Sequence, residues 1–172
     1  LKIVEKRGEL MQDICERTHG SMASIIGANI EDIKDLCLEL DIDISNINYS
    51  EQVVVSGINS QIKIFIEKSK NINCKKIIPL NVHGAYHSRL MKPASKIFKE
   101  FLNNIFFNKP KKNIIFNVNA FNITNINDIK DALVKQIYST VLWEKSIKKT
   151  LKEGTEFFIE LGPRKIIQSI VN

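Results

Sequence analysis

The sequence predicts an α/β fold, on three observations. Residues 16–80 alternate β-rich apolar runs with amphipathic helical patterns in the order β-α-β-β-α-β. The stretch Asn81–Pro93 carries a Gly, an aromatic and a His between a strand-like run and a strongly periodic helix. Residues 81–172 then return to further helical and strand-like segments. At 172 residues and 44% hydrophobic content, the chain can bury one sizeable core, or one domain plus part of another.

Taken in order, residues 1–15 read as the end of a helix. Ile3, Arg7, Leu10 and Ile14 share one face at spacings of four, three and four. An Arg on an apolar stripe is unusual, because an unpaired buried guanidinium is costly. It either meets an anion or snorkels to solvent, and the spacing leaves both open. Ser21–Ile26 reads as a strand closed by Gly27. Asn29 can cap a helix carrying Ile30, Ile33, Leu36, Cys37 and Leu40. Ile42–Ile47 and Gln52–Ser56 form a strand pair around Tyr49-Ser50-Glu51. Ser60–Lys70 is a helix with Ile62, Phe65, Ile66 and Ser69 inward, and Lys76–Val82 is the closing strand. Pro79 within that strand argues for an edge position or a bulge. This order, over residues 16–80, is that of a ferredoxin-like (βαββαβ) small subdomain.

Residues 81–172 form a second, larger α/β layer. A helix is expected with Ala94, Ile97, Phe98, Phe101, Leu102 and Ile105 on its apolar face. Ile114–Val118 should be a short buried strand. A helix with Ile129, Ala132, Leu133, Gln136 and Ile137 follows an Asn/Asp cluster. Another runs from Trp143 to Leu151, Phe157–Leu161 reads as an apolar strand, and a last helix opens at Arg164.

The turn between strand and helix is where α/β proteins present reactive side chains. A neutral imidazole at His87 can accept a proton near neutral pH, its unperturbed pKa being about 6.5. From the turn alone, a His that caps a helix or meets a backbone carbonyl is the more economical reading.

Composition narrows the rest. Cys15, Cys37 and Cys74 are odd in number and far apart, with no CxxC pair and no Cys/His cluster, so reduced, buried thiols are expected and a metal is not. The net charge is +6. Its lysines are scattered without interleaved aromatics, which argues against nucleic acid and suits an acidic protein partner. No window approaches a membrane span. The chain opens on Leu1 inside an amphipathic pattern, and we expect an N-terminal portion to precede it.

Gly84-Ala85-Tyr86-His87-Ser88-Arg89-Leu90-Met91-Lys92-Pro93-Ala94 resembles the GAFHSxLMxPA segment of malonyl-CoA:acyl-carrier-protein transacylases. Five further stretches are similar to that family in its own order. They are Val4–Gln12 (VxxRGxxMQ), Gly20–Gly27 (GAMAAIIG), Asn46–Gly57 (NxNxPxQVVISG), Gln136–Ile147 (QLYxPVxWxxSI) and Glu160–Pro163 (EVGPG). Together they span nearly the whole chain. The chain departs from the family pattern at Ser50, Asn119 and Arg164, where the family carries Pro, Asp and Gly.

The resemblance implies a partial α/β-hydrolase-like acyltransferase core with the ferredoxin-like subdomain inserted. It implies His87 as general base, with Gln136 holding the imidazole through its backbone carbonyl in place of a triad Asp. Arg7 would pair with the free carboxylate of a malonyl group. Tyr86 would stand beside the acyl pocket, where the family has Phe, and Asn46 would line the cleft. Asn48 and Gln52 belong to the same stretch, with turn chemistry the simpler role for Asn48. His19 and His83 carry no role over. The family's nucleophilic Ser sits in GHSLG, no GxSxG occurs in this sequence, and we expect that segment to lie before Leu1.

The expected activity is transfer of malonyl from malonyl-CoA to the phosphopantetheine thiol of acyl carrier protein through an acyl-Ser, with no cofactor. A cytoplasmic monomer in fatty acid biosynthesis is expected, an organellar home being left open. Two alternatives stand beside it: a non-catalytic ferredoxin-like interaction module, and the acyltransferase domain of a multidomain synthase.

Overall fold

The computed structural model describes residues 1–49 and 51–162. Helix α1 (Lys2–Thr18) opens the chain and runs past residue 15, ending where His19 takes a left-handed conformation and donates its N–H to the Cys15 carbonyl at 3.2 Å. Strand β1 (Gly20–Ile26), α2 (Ile30–Glu39), β2 (Asp43–Tyr49), β3 (Gln52–Ile58), α3 (Asn59–Lys68) and β4 (Lys76–Pro79) follow. Their sheet order is β4-β1-β3-β2, with every neighbouring pair antiparallel.

The register explains the core. Ala23 faces Val55 and Ile25 faces Val53 across β1 and β3, so these four share one face. Against that face α2 and α3 bring Ile33, Leu36, Cys37, Ile62 and Phe65, all buried. The Asn29 side chain caps α2 by accepting from the Glu31 N–H at 2.9 Å. Pro79 lies on the edge strand, where its missing N–H interrupts no ladder. The opposite face carries Met22, Ser24, Val54 and Ser56, and these are buried too.

A second core gathers α1, α4 (Lys92–Asn103) and α5 (Ile126–Gln136): Leu10, Met11, Cys15, Met91, Ala94, Phe98, Leu102, Val134 and Ile137. The two parts of the chain are joined through one sheet. Strand β7 (Val141–Leu142) pairs in parallel with β2, Asn46 opposite Val141 and Ile47 opposite Leu142, and α6 (Trp143–Lys152) packs beside it. Two residues are too few to carry a periodicity, so sequence reading did not find β7.

Three expectations differ from the structure. Ile114–Val118 contributes only β5 (Ile115–Phe116), half-buried and paired with β6 (Phe121–Asn122) in a small hairpin. Its turn is fixed by Ala120 at φ 59° and by the Asn119 side chain, which accepts from the Phe121 N–H. Phe157–Leu161 forms no strand. Phe157, Ile159 and Leu161 are 84%, 84% and 92% exposed, and no strand among the described residues pairs with them. Ile97, expected inward on α4, is 52% exposed. The helix expected from Arg164 lies outside the described residues.

Candidate active site

The turn that bears His87 is built from small and buried residues. Beyond β4 the Leu80 N–H donates to the Met22 carbonyl at 2.9 Å, which lays the chain along β1. Gly84 is obligatory here, because a Cβ on it would sit 2.1 Å from the Sγ of Cys15. Gly20 of β1 is similarly constrained, since a Cβ on it would lie 2.5 Å from the backbone nitrogen of buried Ala85. His87 adopts φ 58°, a left-handed conformation uncommon for a non-glycine residue. Ser88, fully buried, donates to the Ala85 carbonyl at 2.6 Å and accepts from the Leu90 N–H, opening a short 3-10 turn (Arg89–Met91) that leads into α4.

This backbone aims the imidazole at the end of α5. Nδ1 of His87 lies 2.8 Å from the Gln136 carbonyl oxygen. That carbonyl belongs to the last residue of α5 and so needs a partner outside the helix. A carbonyl oxygen can only accept, so Nδ1 carries the hydrogen. In the neutral ring Nε2 is then the unprotonated nitrogen, with a free lone pair. The Gln136 side chain turns the other way, its Nε2 donating to the Ser139 carbonyl at 3.1 Å. Its Oε1 is buried without a partner among the described residues.

Burial pushes His87 below the ordinary histidine value. The Gln136 carbonyl works against this, the Arg7 charge adds to it, and the Ser139 backbone opposes it. The net direction is down, which keeps the ring neutral at physiological pH. Helix α1, which bears Arg7, packs against the Arg89–Met91 turn that follows His87. Arg7 is half-buried, burial lowers its own pKa, and it has no carboxylate partner among the described residues. A proton acceptor and an unpaired cation therefore stand on adjoining elements.

Tyr86 is half-buried and packs against the α1/α4/α5 core. A hydrogen bond to Cys15, with burial second, raises its phenol pKa, so it stays a neutral hydroxyl. Asn46 lies half-buried on β2 between Val54 and Val141, with no side-chain hydrogen bond among the described residues. Asn48 donates to Gln52 and Gln52 to Ser24, each at 3.3 Å, which gives the sheet a polar row across three strands. His19 and His83 are both exposed. Two open concavities are lined by other residues: Gln12, Cys15, Glu16 and His19 along α1, and Lys34, Cys37, Asp41, Asp43 and Arg89 beside α2. Among the described residues no group of His, Cys, Asp and Glu is arranged to hold a metal, and no helix is long and apolar enough to cross a membrane.

Sequence reasoning missed Ser139, and it missed the tether between Arg89 and Asp43 described below. Those partners lie 46 residues apart and leave no local pattern.

No protein-family model matches the chain. A malonyl CoA-acyl carrier protein transacylase of Staphylococcus aureus (strain COL) is 35% identical over 176 residues, covering 99% of this chain and 57% of the relative. The chain belongs to the malonyl CoA-acyl carrier protein transacylase family. It spans little more than half the length of these relatives. Among solved structures, an acyl carrier protein S-malonyltransferase of Vibrio cholerae is 34% identical with a TM-score of 0.93, covering 98% of this chain and 56% of that one. A type II PKS acyl-carrier protein in complex with its malonyl-transacylase aligns with a TM-score of 0.94 at 29% identity, covering 98% and 56%. The mixed α/β architecture described above is thus the architecture of this transacylase family.

Proposed function

We propose that this chain supplies the base and the carboxylate-binding cation of an S-malonyltransferase, moving malonyl from malonyl-CoA to the thiol of acyl carrier protein. The observation that carries the reading is the 2.8 Å contact from His87 Nδ1 to the Gln136 carbonyl, with Arg7 on the adjoining helix α1 and without a carboxylate partner among the described residues. Held this way, Nε2 takes the proton of a serine hydroxyl supplied by a segment outside these residues. The serine oxygen attacks the thioester carbonyl, the C–S bond breaks, and the coenzyme A thiolate leaves with the proton from the imidazolium. In the second half the carrier thiol gives its proton to Nε2 and attacks the acyl-serine, and the serine recovers a proton as it leaves.

Arg7 pairs with the free carboxylate of malonyl in a bidentate contact. An acetyl group would leave that guanidinium unpaired, which selects against it. Tyr86 bounds the acyl pocket, and Asn46 lines the cleft between a ferredoxin-like unit around β1–β4 and the helical layer. The setting is cytoplasmic fatty acid synthesis by a monomer, with no nucleic acid, membrane or cofactor involved.

The test is acyl loading and transfer by the full-length polypeptide. His87→Ala should lower kcat by about two to four orders of magnitude. Arg7→Ala should lose malonyl transfer about a hundredfold while gaining acetyl transfer. Full activity in the first variant, or an unchanged acyl preference in the second, would end the corresponding assignment.

A further inference from the structure

The two segments that meet in the His87–Gln136 contact are each bonded to one of two consecutive residues of β2. The Asp43 carboxylate of β2 accepts from the backbone N–H of Arg89 at 2.9 Å and from its Nε at 3.1 Å, through the same oxygen. Arg89 Nη1 reaches further to Asp41 at 2.6 Å. The next residue, Ile44, accepts at its carbonyl from the Thr140 hydroxyl at 2.7 Å. Thr140 is the residue before β7 and four beyond Gln136. So β2 grips the His87 turn on one side and the segment after α5 on the other. Strand β7 adds its pairing with Asn46 and Ile47.

We infer that Asp43 is a positioning residue: its bond to the Arg89 backbone N–H sets where the His87 turn sits relative to the Gln136 carbonyl. This rests on the reading of His87 as the base. The side-chain ion pairs contribute little, since Arg89 and Asp41 are half or more exposed and such pairs are screened. The backbone bond is the effective one. It acts two residues from the left-handed His87, on the side of the turn that Ser88 also holds. Without it the turn relaxes, the Nδ1 contact lengthens and Nε2–H becomes a competing tautomer.

The experiment uses the full-length polypeptide with 15N-labelled histidine, His87 being assigned by its loss in His87→Gln. In the wild type the neutral ring should be the Nδ1–H tautomer, and the Arg89 amide should be protected from hydrogen exchange although the residue is exposed. Asp43→Ala should mix the tautomers, shift the His87 titration midpoint and lower kcat about tenfold with KM little changed. Asp43→Asn keeps an acceptor, and Arg89→Ala keeps the N–H, so both should stay near wild type in tautomer and rate. A wild-type tautomer and titration in Asp43→Ala would overturn the inference, as would a full effect in Arg89→Ala. If Asp43→Ala does not fold, a rapidly exchanging Arg89 amide in the wild type overturns it directly. Failure of the proposed function would look different: His87→Ala would retain transfer whatever the tautomer showed.

Discussion

At the scale of single residues, the imidazole of His87 integrates opposing influences of known sign. Burial and the Arg7 charge disfavour the imidazolium, and the carbonyls of Gln136 and Ser139 favour it. Its midpoint should therefore lie below 6.5, and Arg7→Gln, by removing a like charge, should move it upward; an NMR titration of labelled histidine reads this, and an unmoved midpoint would separate the two groups. The linkage has a definite sign. The unfolded chain takes up this proton at about pH 6.5 while the folded chain resists it. Stability contributed by the neutral ring is whole above that pH and is lost as pH falls toward the lower folded value. His87 was legible because it sits in a contiguous motif. The Gln136 carbonyl was given by the resemblance and not by any local spacing, because that partner depends on where α5 ends, 49 residues away.

At the scale of elements, the helices were the most legible parts. Apolar residues at helical spacing marked α2, α3, α4 and α5, and Asn29 and Asn125 cap α2 and α5 with their side chains. The β-α-β-β-α-β order was legible for the same reason, since each strand had enough residues to alternate. Strand β7 was illegible because two residues show no alternation and their partner is remote. The turn after β4 makes an element-scale prediction. A Cβ on Gly20 would lie 2.5 Å from the backbone nitrogen of Ala85, and backbone cannot swing aside as a long side chain can. Gly20→Ala should therefore lower stability by about 1–3 kcal/mol, the usual cost of overpacking, and push the His87 turn away from β1. Thermal unfolding together with the His87 tautomer signal checks both halves; an unaltered melting temperature would count against the close approach.

For the whole molecule, two cores are stitched together by one sheet whose last strand comes from the other layer. The resemblance of six ordered stretches was visible in the sequence because it needs only residue identity. The fate of Phe157–Leu161 was not, because an apolar run becomes a strand only when a neighbour offers its ladder. Phe157, Ile159 and Leu161, together with Phe106 at 86% exposure, present apolar surface to solvent in this chain. A 172-residue polypeptide of this sequence should enhance the fluorescence of a hydrophobic dye. Serine at positions 157, 159 and 161 should reduce that signal, and equal dye binding by the triple variant would remove this run as its source.

The left-handed backbone at His87 has a cost that the residue cannot avoid. L-amino acids with a Cβ hold such a conformation at a penalty of about 1–2 kcal/mol, and asparagine or glycine would rest there more easily. Selection for a sturdier molecule would thus tend to replace this histidine. Under the proposed function, that penalty is what aiming the imidazole at the end of α5 costs.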